Sequence, residues 1–160
     1  MTDIYRIYLA GTDNGRDHRQ HARRLTLSRP STVPVTRPAS CPCGSGKSHA
    51  TCCAPYLLGE RPAPSAEALM RSRYCAYALG NAPYLLATWH PDTRPDHLDL
   101  EPSPTWLGLS VKAAQDQDAS HATVAFVARY KVGGRGYRMA ETSRFERIEG
   151  RWYYLDGDVR

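Results

Sequence analysis

The hydrophobic pattern of the chain first indicates two helices. In the segment SAEALMRSRYCAYALG, residues 65–80, apolar side chains recur every three or four positions, as on one face of an α-helix. Ser65 is suited to cap this helix and Gly80 to end it. A shorter helix is predicted in APYLLATWH, with Asn81 as its cap. It must end before Pro91, because proline disfavours the helical conformation of the residue that precedes it.

The pattern then changes to one of strands. Residues 92–105, DTRPDHLDLEPSPT, are rich in turn-forming residues and are predicted to be irregular. Beyond them, apolar and polar positions alternate, which predicts four strands in TWLGLSV, SHATVAFVARYKV, YRMAETSRFERI and RWYYLDG. The connections GGRG and EG are short glycine-containing turns of the kind found in hairpins. Two helices followed by an antiparallel meander predict an α+β fold with the helices on one face of the sheet.

The charge of the chain is concentrated in its first segment. Residues 1–40 hold seven Arg and three Asp and end in RPSTVPVTRPAS, so we predict a disordered basic tail or linker there. Residues 41–160 hold fourteen Arg or Lys and thirteen Asp or Glu, which leaves them close to neutral. A nucleic-acid partner is therefore only weakly suggested, and by the tail alone. The chain has no apolar run of membrane-spanning length and no secretory signal pattern, so we expect a cytoplasmic protein without a membrane partner.

Four of the five cysteines lie in one short stretch, CPCGSGKSHATCC, residues 41–53. Its centre, GSGKS, resembles the end of a phosphate-binding loop. That loop needs a glycine where this chain has Cys41, and it needs a buried strand in front of it. The preceding segment TVPVTRPAS contains prolines that a central strand does not tolerate, so we reject a nucleotide site.

The same cysteines suit a metal ion better. Cys41, Cys43, Cys52 and Cys53 supply four thiolates around a short loop, which matches a closed, tetrahedral, structural Zn²⁺ site. In a cytoplasmic protein thiols stay reduced, which favours metal over disulfides. Two disulfides, an iron–sulfur cluster or redox-active dithiols are the alternatives. The fifth cysteine, Cys75, is predicted to stand apart in the first helix as a small buried apolar residue.

These segments resemble known families. CPCGSGK followed by CC is similar to the SEC-C motif, the zinc-binding element at the C-terminus of the SecA translocase. EALMRSRYCAYALGNAPYLLATWHP and SRFERIEGRWYYLDG resemble the YchJ family of bacterial proteins, which places a SEC-C motif before a nuclear-transport-factor-2-like domain. The resemblance implies a SEC-C zinc knuckle over residues 41–59. It also implies a nuclear-transport-factor-2-like (cystatin-like) cone, a curved antiparallel sheet with helices, over residues 60–160.

The resemblance also implies partners. In SecA this element is implicated in binding a chaperone, and related modules are linked to ribosomes. A protein or ribosome-associated partner is therefore expected at the knuckle, where the resemblance assigns Zn²⁺ to the four clustered cysteines. Relatives often carry a His before the residue that matches Glu141, whereas this chain has Ala140, so no role is assigned to that position.

Two charged residues fall on faces that should be apolar. Arg73 lies on the helix stripe with Met70 and Tyr77, and Glu141 alternates with Met139 on one face of the third strand. Buried charges are costly unless they are paired, so we predict that Arg73 and Glu141 meet inside the cone. The expected role of the pair is structural. The neighbouring Arg71 should point elsewhere and be solvated.

A sharper hypothesis makes this region a pocket. The candidate pocket residues are Arg73, Tyr77, Trp89, His90, Trp106, Glu141 and Trp152. A carboxylate and an imidazole in an apolar cleft can perform acid–base chemistry, but no residue is assigned a catalytic role. The cysteine spacing predicts zinc binding, and the resemblance to SEC-C proteins implies an interaction function. The alternatives are a small-molecule-binding protein or acid–base enzyme that uses the cone, and a knuckle that acts only as a structural lid.

Overall fold

The computed structural model describes residues 39–100 and 104–160. The basic tail predicted for residues 1–40 lies almost entirely outside the described residues. A 3₁₀ turn at His49–Thr51 precedes three helices and four strands. The helices are α1 (Ala54–Leu57), α2 (Ala66–Leu79) and α3 (Ala82–Ala87), and the strands are β1 (Thr105–Asp116), β2 (His121–Val132), β3 (Arg135–Ile148) and β4 (Arg151–Val159).

Both predicted helices are confirmed, together with their caps. The Ser65 hydroxyl accepts a hydrogen bond from the backbone N–H of Ala68 at 3.1 Å, and α2 ends at Gly80 in the left-handed conformation. The Asn81 side chain caps α3 by accepting from the N–H of Tyr84 at 3.1 Å. Capping side chains thus mark both starts as the sequence indicated.

The four strands form one antiparallel sheet in the order β1-β2-β3-β4, which confirms the α+β meander. Some strands run longer than predicted: β1 continues to Asp116, β3 begins at Arg135 and β4 reaches Val159. Register shifts interrupt β1 twice and the β3–β4 pairing once, between Arg144 and Phe145. Such bulges bend a strand and increase its twist, which suits a sheet that curves around helices.

The core lies between the helices and one face of the sheet. Leu69 and Met70 of α2 are buried in the same apolar cluster as Phe126 of β2 and Phe145 of β3. After α3 the chain joins the edge of the sheet, where backbone hydrogen bonds link Tyr154 to Thr88 and His90. This connection holds α3 against β4 and closes one side of the core.

The knuckle contains two short elements that the sequence did not predict, the 3₁₀ turn and α1. Its cysteines Cys41, Cys43 and Cys53 belong to the same buried cluster as α2 and the sheet. The knuckle is therefore packed on the helical side of the larger domain. In the described part of the chain, no helix is both long enough and apolar enough to cross a membrane.

Candidate metal centre and inner cavity

The four knuckle cysteines converge as the sequence predicted. The Sγ atoms of Cys41, Cys43, Cys52 and Cys53 all lie within 4.8 Å of one another, three of them on buried residues. Cys52 Sγ is 3.7 Å from Cys43 Sγ and 3.8 Å from Cys53 Sγ. A tight loop brings the first pair, Cys41 and Cys43, next to the second pair, Cys52 and Cys53. The resulting cluster can hold a metal ion.

That loop is shaped by backbone hydrogen bonds and by one glycine. The N–H of Cys41 donates to the carbonyl of Lys47 at 2.9 Å, and the N–H of Gly44 donates to the carbonyl of Cys41. Gly44 has a φ of 71°, and a Cβ there would lie 2.8 Å from the carbonyl oxygen of Leu109 in β1. Any side chain at Gly44 would therefore both strain the loop and push the knuckle away from the sheet.

Cys75 does not stand apart, which corrects the sequence-based expectation. It is fully buried in α2, but its Sγ lies 3.6 Å from Cys41 Sγ. The Nδ1 atom of His49 is 3.5 Å from Cys41 Sγ on the same side, so Cys41, His49 and Cys75 form a second group of close ligand atoms. The pKa of the Cys75 thiol is raised, first by its hydrogen bond with Cys43 and further by burial. No spacing along the sequence signals this neighbour, because only packing brings α2 under the knuckle.

Arg71 also differs from its expected, solvated position. Its Nη1 donates to the backbone carbonyl of Cys43 at 3.1 Å, and its Nε donates to Glu67 at 2.8 Å. The side chain is only 24% exposed. Arg71 thus ties the cysteine loop to α2, a contact that the helix pattern alone does not reveal.

The cluster is accessible from one side, where the knuckle meets the start of α2. Cys52 is half-buried, and its Sγ is hydrogen-bonded to Ser45 Oγ at 3.2 Å. A groove of ≈ 380 Å³ opens here, lined by Ser45, Lys47, Thr51, Cys52, Cys53, Tyr56, Ser65, Glu67, Ala68 and Arg71. The exposed Lys47 lines the same groove. The knuckle is therefore packed on α2 but leaves Lys47 and part of Cys52 accessible beside that helix.

Arg73 and Glu141 both lie in the interior and line the same cavity. They are 5% and 3% exposed, so neither head group reaches bulk water. The cavity has a volume of ≈ 20 Å³, which is room for about one water molecule. Its lining comprises Met70, Arg73, Tyr74, Tyr77, Phe126, Glu141, Ser143, Phe145 and Tyr154.

Arg73 is held by groups that the sequence argument did not anticipate. Its Nη1 donates to the carbonyl of Leu85 at 2.7 Å and to Thr88 Oγ1 at 2.9 Å. The guanidinium lies 4.9 Å from the ring centroid of Trp89 and 4.5 Å from that of Tyr154. Burial lowers the pKa of this guanidinium. Two rings, one backbone carbonyl and one hydroxyl at the end of α3 thus compensate much of the cost of burying the charge.

Glu141 has its own set of partners. Its Oε1 accepts hydrogen bonds from Ser143 Oγ at 2.7 Å and from the Tyr154 hydroxyl at 3.3 Å. A Cβ at Gly157 on the neighbouring strand would lie 2.2 Å from that same oxygen. The carboxylate therefore occupies the space that a side chain at position 157 would need.

The remaining candidate pocket residues divide into two groups. Tyr77 lines the cavity, and Trp106 packs on it with ring centroids 6.0 Å apart. His90 is buried but directs its Nε2 toward Glu146 Oε2 at 3.3 Å, outside the cavity lining. Trp152 lines a separate groove beside α1 and α3. His90 and Trp152 lie away from the cavity because Trp152 and Glu146, the partner of His90, are near the β3–β4 turn, at a distance from Glu141 along the strands.

Comparison with known proteins identifies the architecture. The family model described as "YchJ, middle NTF2-like domain" matches residues 65–157, and the SEC-C motif model matches residues 37–55. The fold and the cysteine cluster thus define a protein that joins a SEC-C motif to a nuclear-transport-factor-2-like domain. The chain belongs to the YchJ family, whose curated members carry the name UPF0225.

Relatives and solved structures agree with this assignment. A UPF0225 protein of Cupriavidus metallidurans is 55% identical over 131 residues, covering 78% of this chain and 92% of its own. A UPF0225 protein of Chromobacterium violaceum is 56% identical over 128 residues, covering 76% and 93%. The solution structure of a SEC-C motif containing protein from Rhodopseudomonas palustris is 40% identical with a TM-score of 0.67, covering 74% of this chain and 96% of its own. A SEC-C motif containing protein from Psychrobacter arcticus, solved by crystallography, is 30% identical with a TM-score of 0.63, covering 72% and 80%.

Proposed function

We propose that this protein binds Zn²⁺ through Cys41, Cys43, Cys52 and Cys53. Four sulfurs at about 2.3 Å from a tetrahedral ion are separated from each other by about 3.8 Å. The 3.7 and 3.8 Å separations around Cys52 match that spacing. When bound, the ion cross-links both ends of the loop, and such binding contributes roughly 10–16 kcal/mol to folding in comparable zinc peptides.

We further propose that the knuckle is an interaction module for a protein or ribonucleoprotein partner. The supporting observation is its asymmetry: one face is anchored to α2, while Lys47 and the groove beside Cys52 remain accessible. The exposed Lys47 on this loop can contact an acidic or phosphate group of such a partner. A knuckle that served only as a lid would have no need of this open face.

The alternative function, ligand binding or acid–base chemistry in the cone, has some support in the buried Glu141, Ser143 and Tyr154 side chains. The cavity volume argues against it, because ≈ 20 Å³ holds no organic substrate. The direction of the His90 side chain also argues against it, since this imidazole faces Glu146 instead of the cavity. The interaction function is therefore the one that the geometry supports best.

Elemental analysis combined with affinity capture from the host tests this proposal. The wild-type protein should carry one zinc ion, Cys52→Ser should lose both zinc and partner, and Lys47→Ala should keep zinc but capture less partner. Glu141→Gln, which alters only the inner cavity, is the matched control and should behave as wild type. A metal-free protein with an ordered knuckle, or partner capture that is the same for Cys52→Ser, would contradict the proposal.

A further inference from the structure

The end of the β2–β3 hairpin carries an unusual concentration of positive charge. Residues 129–138, RYKVGGRGYR, contain four cationic side chains and no acidic one, and all four are exposed. They are Arg129, Lys131, Arg135 and Arg138. We call this segment the basic hairpin. Because residues 41–160 are close to neutral overall, its charge is a local feature of the surface and not a general property of the domain.

The fold itself does not account for these charges. Arg129 and Arg138 face each other directly across the β2–β3 ladder, and like charges in that position destabilise a sheet. Within the described part of the chain, none of the four cations lies in an ion pair with a carboxylate. A short distance along β3, by contrast, Arg144 pairs with both Asp156 and Asp158. Among the described residues, Arg144 is thus neutralised by two aspartates, whereas none of the four hairpin cations has a carboxylate oxygen within 4.0 Å.

Aromatic rings accompany the cations. Tyr130 and Tyr137 stack with centroids 5.5 Å apart and an interplanar angle of 15°, and Trp106 continues the row 5.6 Å from Tyr130. Tyr137 is 41% exposed at the end of this row. The Arg135 guanidinium lies 5.8 Å from the Tyr137 ring. A solvent-accessible ring thus lies beside one of the four cations, Arg135, at the end of this row.

The hairpin is also accessible from its edge. The β3–β4 pairing covers only Glu141–Ile148 of β3, so in the described residues no strand pairs with Arg135–Met139 on that side. Arg129, Lys131 and Arg138 project from one face of the strands, since they occupy alternating or directly opposed positions, while Tyr130 and Tyr137 project from the other. The open edge joins the two faces, so one flexible chain can contact both.

We propose that the basic hairpin binds single-stranded nucleic acid. Arg129, Lys131 and Arg138 would contact successive phosphates, and an unpaired base would stack on Tyr137. Cations along a backbone path combined with an exposed aromatic ring are the features by which proteins bind single strands without sequence preference. An acidic peptide would use the cations but leave the stacked ring without a role. This surface is separate from the zinc knuckle, and the proposal does not depend on the function of the knuckle.

Fluorescence anisotropy with labelled oligouridine and oligothymidine, at a series of salt concentrations, tests the proposal on the full chain. For the Arg129→Ala/Arg138→Ala variant, the negative slope of log K against log salt should become less steep by roughly 1.4, because each lost phosphate contact with a single strand removes about 0.7 from its magnitude. Tyr137→Ala should weaken binding by roughly 5- to 150-fold, the range expected for one stacked base, and Tyr137→Phe should retain it.

Arg144→Ala is the matched control, because it removes one positive charge from the same sheet but one already paired with acids. It should bind as wild type. Cys52→Ser should also bind as wild type, which separates this site from the knuckle. The Arg129→Ala/Arg138→Ala variant should melt no earlier than wild type, since it relieves a repulsion. Wild-type affinity in that folded variant, or binding to anionic lipid vesicles without binding to oligonucleotides, would overturn the proposal.

Discussion

Gly157 and Glu141 lie on neighbouring strands and compete for one space inside the molecule. The Glu141 carboxylate is fixed by Ser143 and Tyr154, so it cannot simply swing away from a new side chain. A Cβ on Gly157 would lie 2.2 Å from Oε1 and 2.8 Å from the carboxyl carbon. Glycine is needed here because of the close approach of a side chain, and not because of an unusual backbone conformation.

Gly157→Ala should therefore destabilise the protein by about 1–3 kcal/mol, the usual range for an overpacked core. Chemical denaturation monitored by tryptophan fluorescence measures this directly. Gly136→Ala is the matched control, because it also lies in a strand but has no atom within 4 Å of the added Cβ. Equal stability of the two variants would show that Glu141 moves freely and that the cavity is not tightly packed.

At the scale of elements, the packing of the knuckle on α2 is the contact that positions the four clustered cysteines. Helix α2 places Cys75 beneath the four clustered cysteines and Arg71 beside them, two positions that lie on adjoining parts of its surface. A helix that only filled the core would need neither. The knuckle loop is therefore supported from outside its own sequence, and its affinity for metal should depend on α2.

Arg71→Ala should accelerate zinc loss. The hydrogen bond to the Cys43 carbonyl is partly exposed, so we expect a cost of about 1 kcal/mol, or roughly a 5-fold faster transfer of zinc to a chromophoric chelator. Glu67→Ala serves as the control, since it removes the partner of Arg71 on the helix but leaves the bond to the knuckle. If Arg71→Ala releases zinc at the wild-type rate, the knuckle holds its geometry without help from α2.

At the scale of the whole molecule, one buried cluster joins the knuckle to the larger domain. Cys41, Cys43 and Cys53 share that cluster with Cys75, Tyr74 and the inner face of the sheet. Besides its cysteines, the knuckle packs Ala54, Tyr56 and Leu57 on the domain, and in such small elements metal binding and folding are coupled. Loss of metal should thus open this part of the core while the sheet stays folded.

Thiol labelling checks this expectation. With metal bound, the five cysteines should react slowly with a disulfide reagent; after chelation all five should react, Cys75 included, although it is fully buried in the folded state. Mass spectrometry of the labelled peptides identifies the reactive positions. A Cys75 that stays protected after chelation would show that the knuckle remains docked on α2 without its ion.

The local features of this fold could be predicted from sequence because each has a local cause. Ser65, Asn81 and Gly80 mark helix ends through contacts with residues three or four positions away. In the strands, the alternation of apolar and polar residues indicates which face of the sheet is buried. The four clustered cysteines could be found because their ligand geometry is closed within thirteen residues. The burial of Arg73 and Glu141 followed from their places among apolar neighbours.

What only the tertiary structure decided is which distant segments meet. The sequence determined the α+β meander, the cysteine cluster and the two charges of the interior. It did not determine that Cys75 joins that cluster, that Arg71 holds the knuckle, that aromatic rings enclose Arg73 or that His90 turns toward Glu146. The reason is physical: caps and periodicity depend on near neighbours in the chain, whereas these contacts depend on how a curved sheet and its helices pack together.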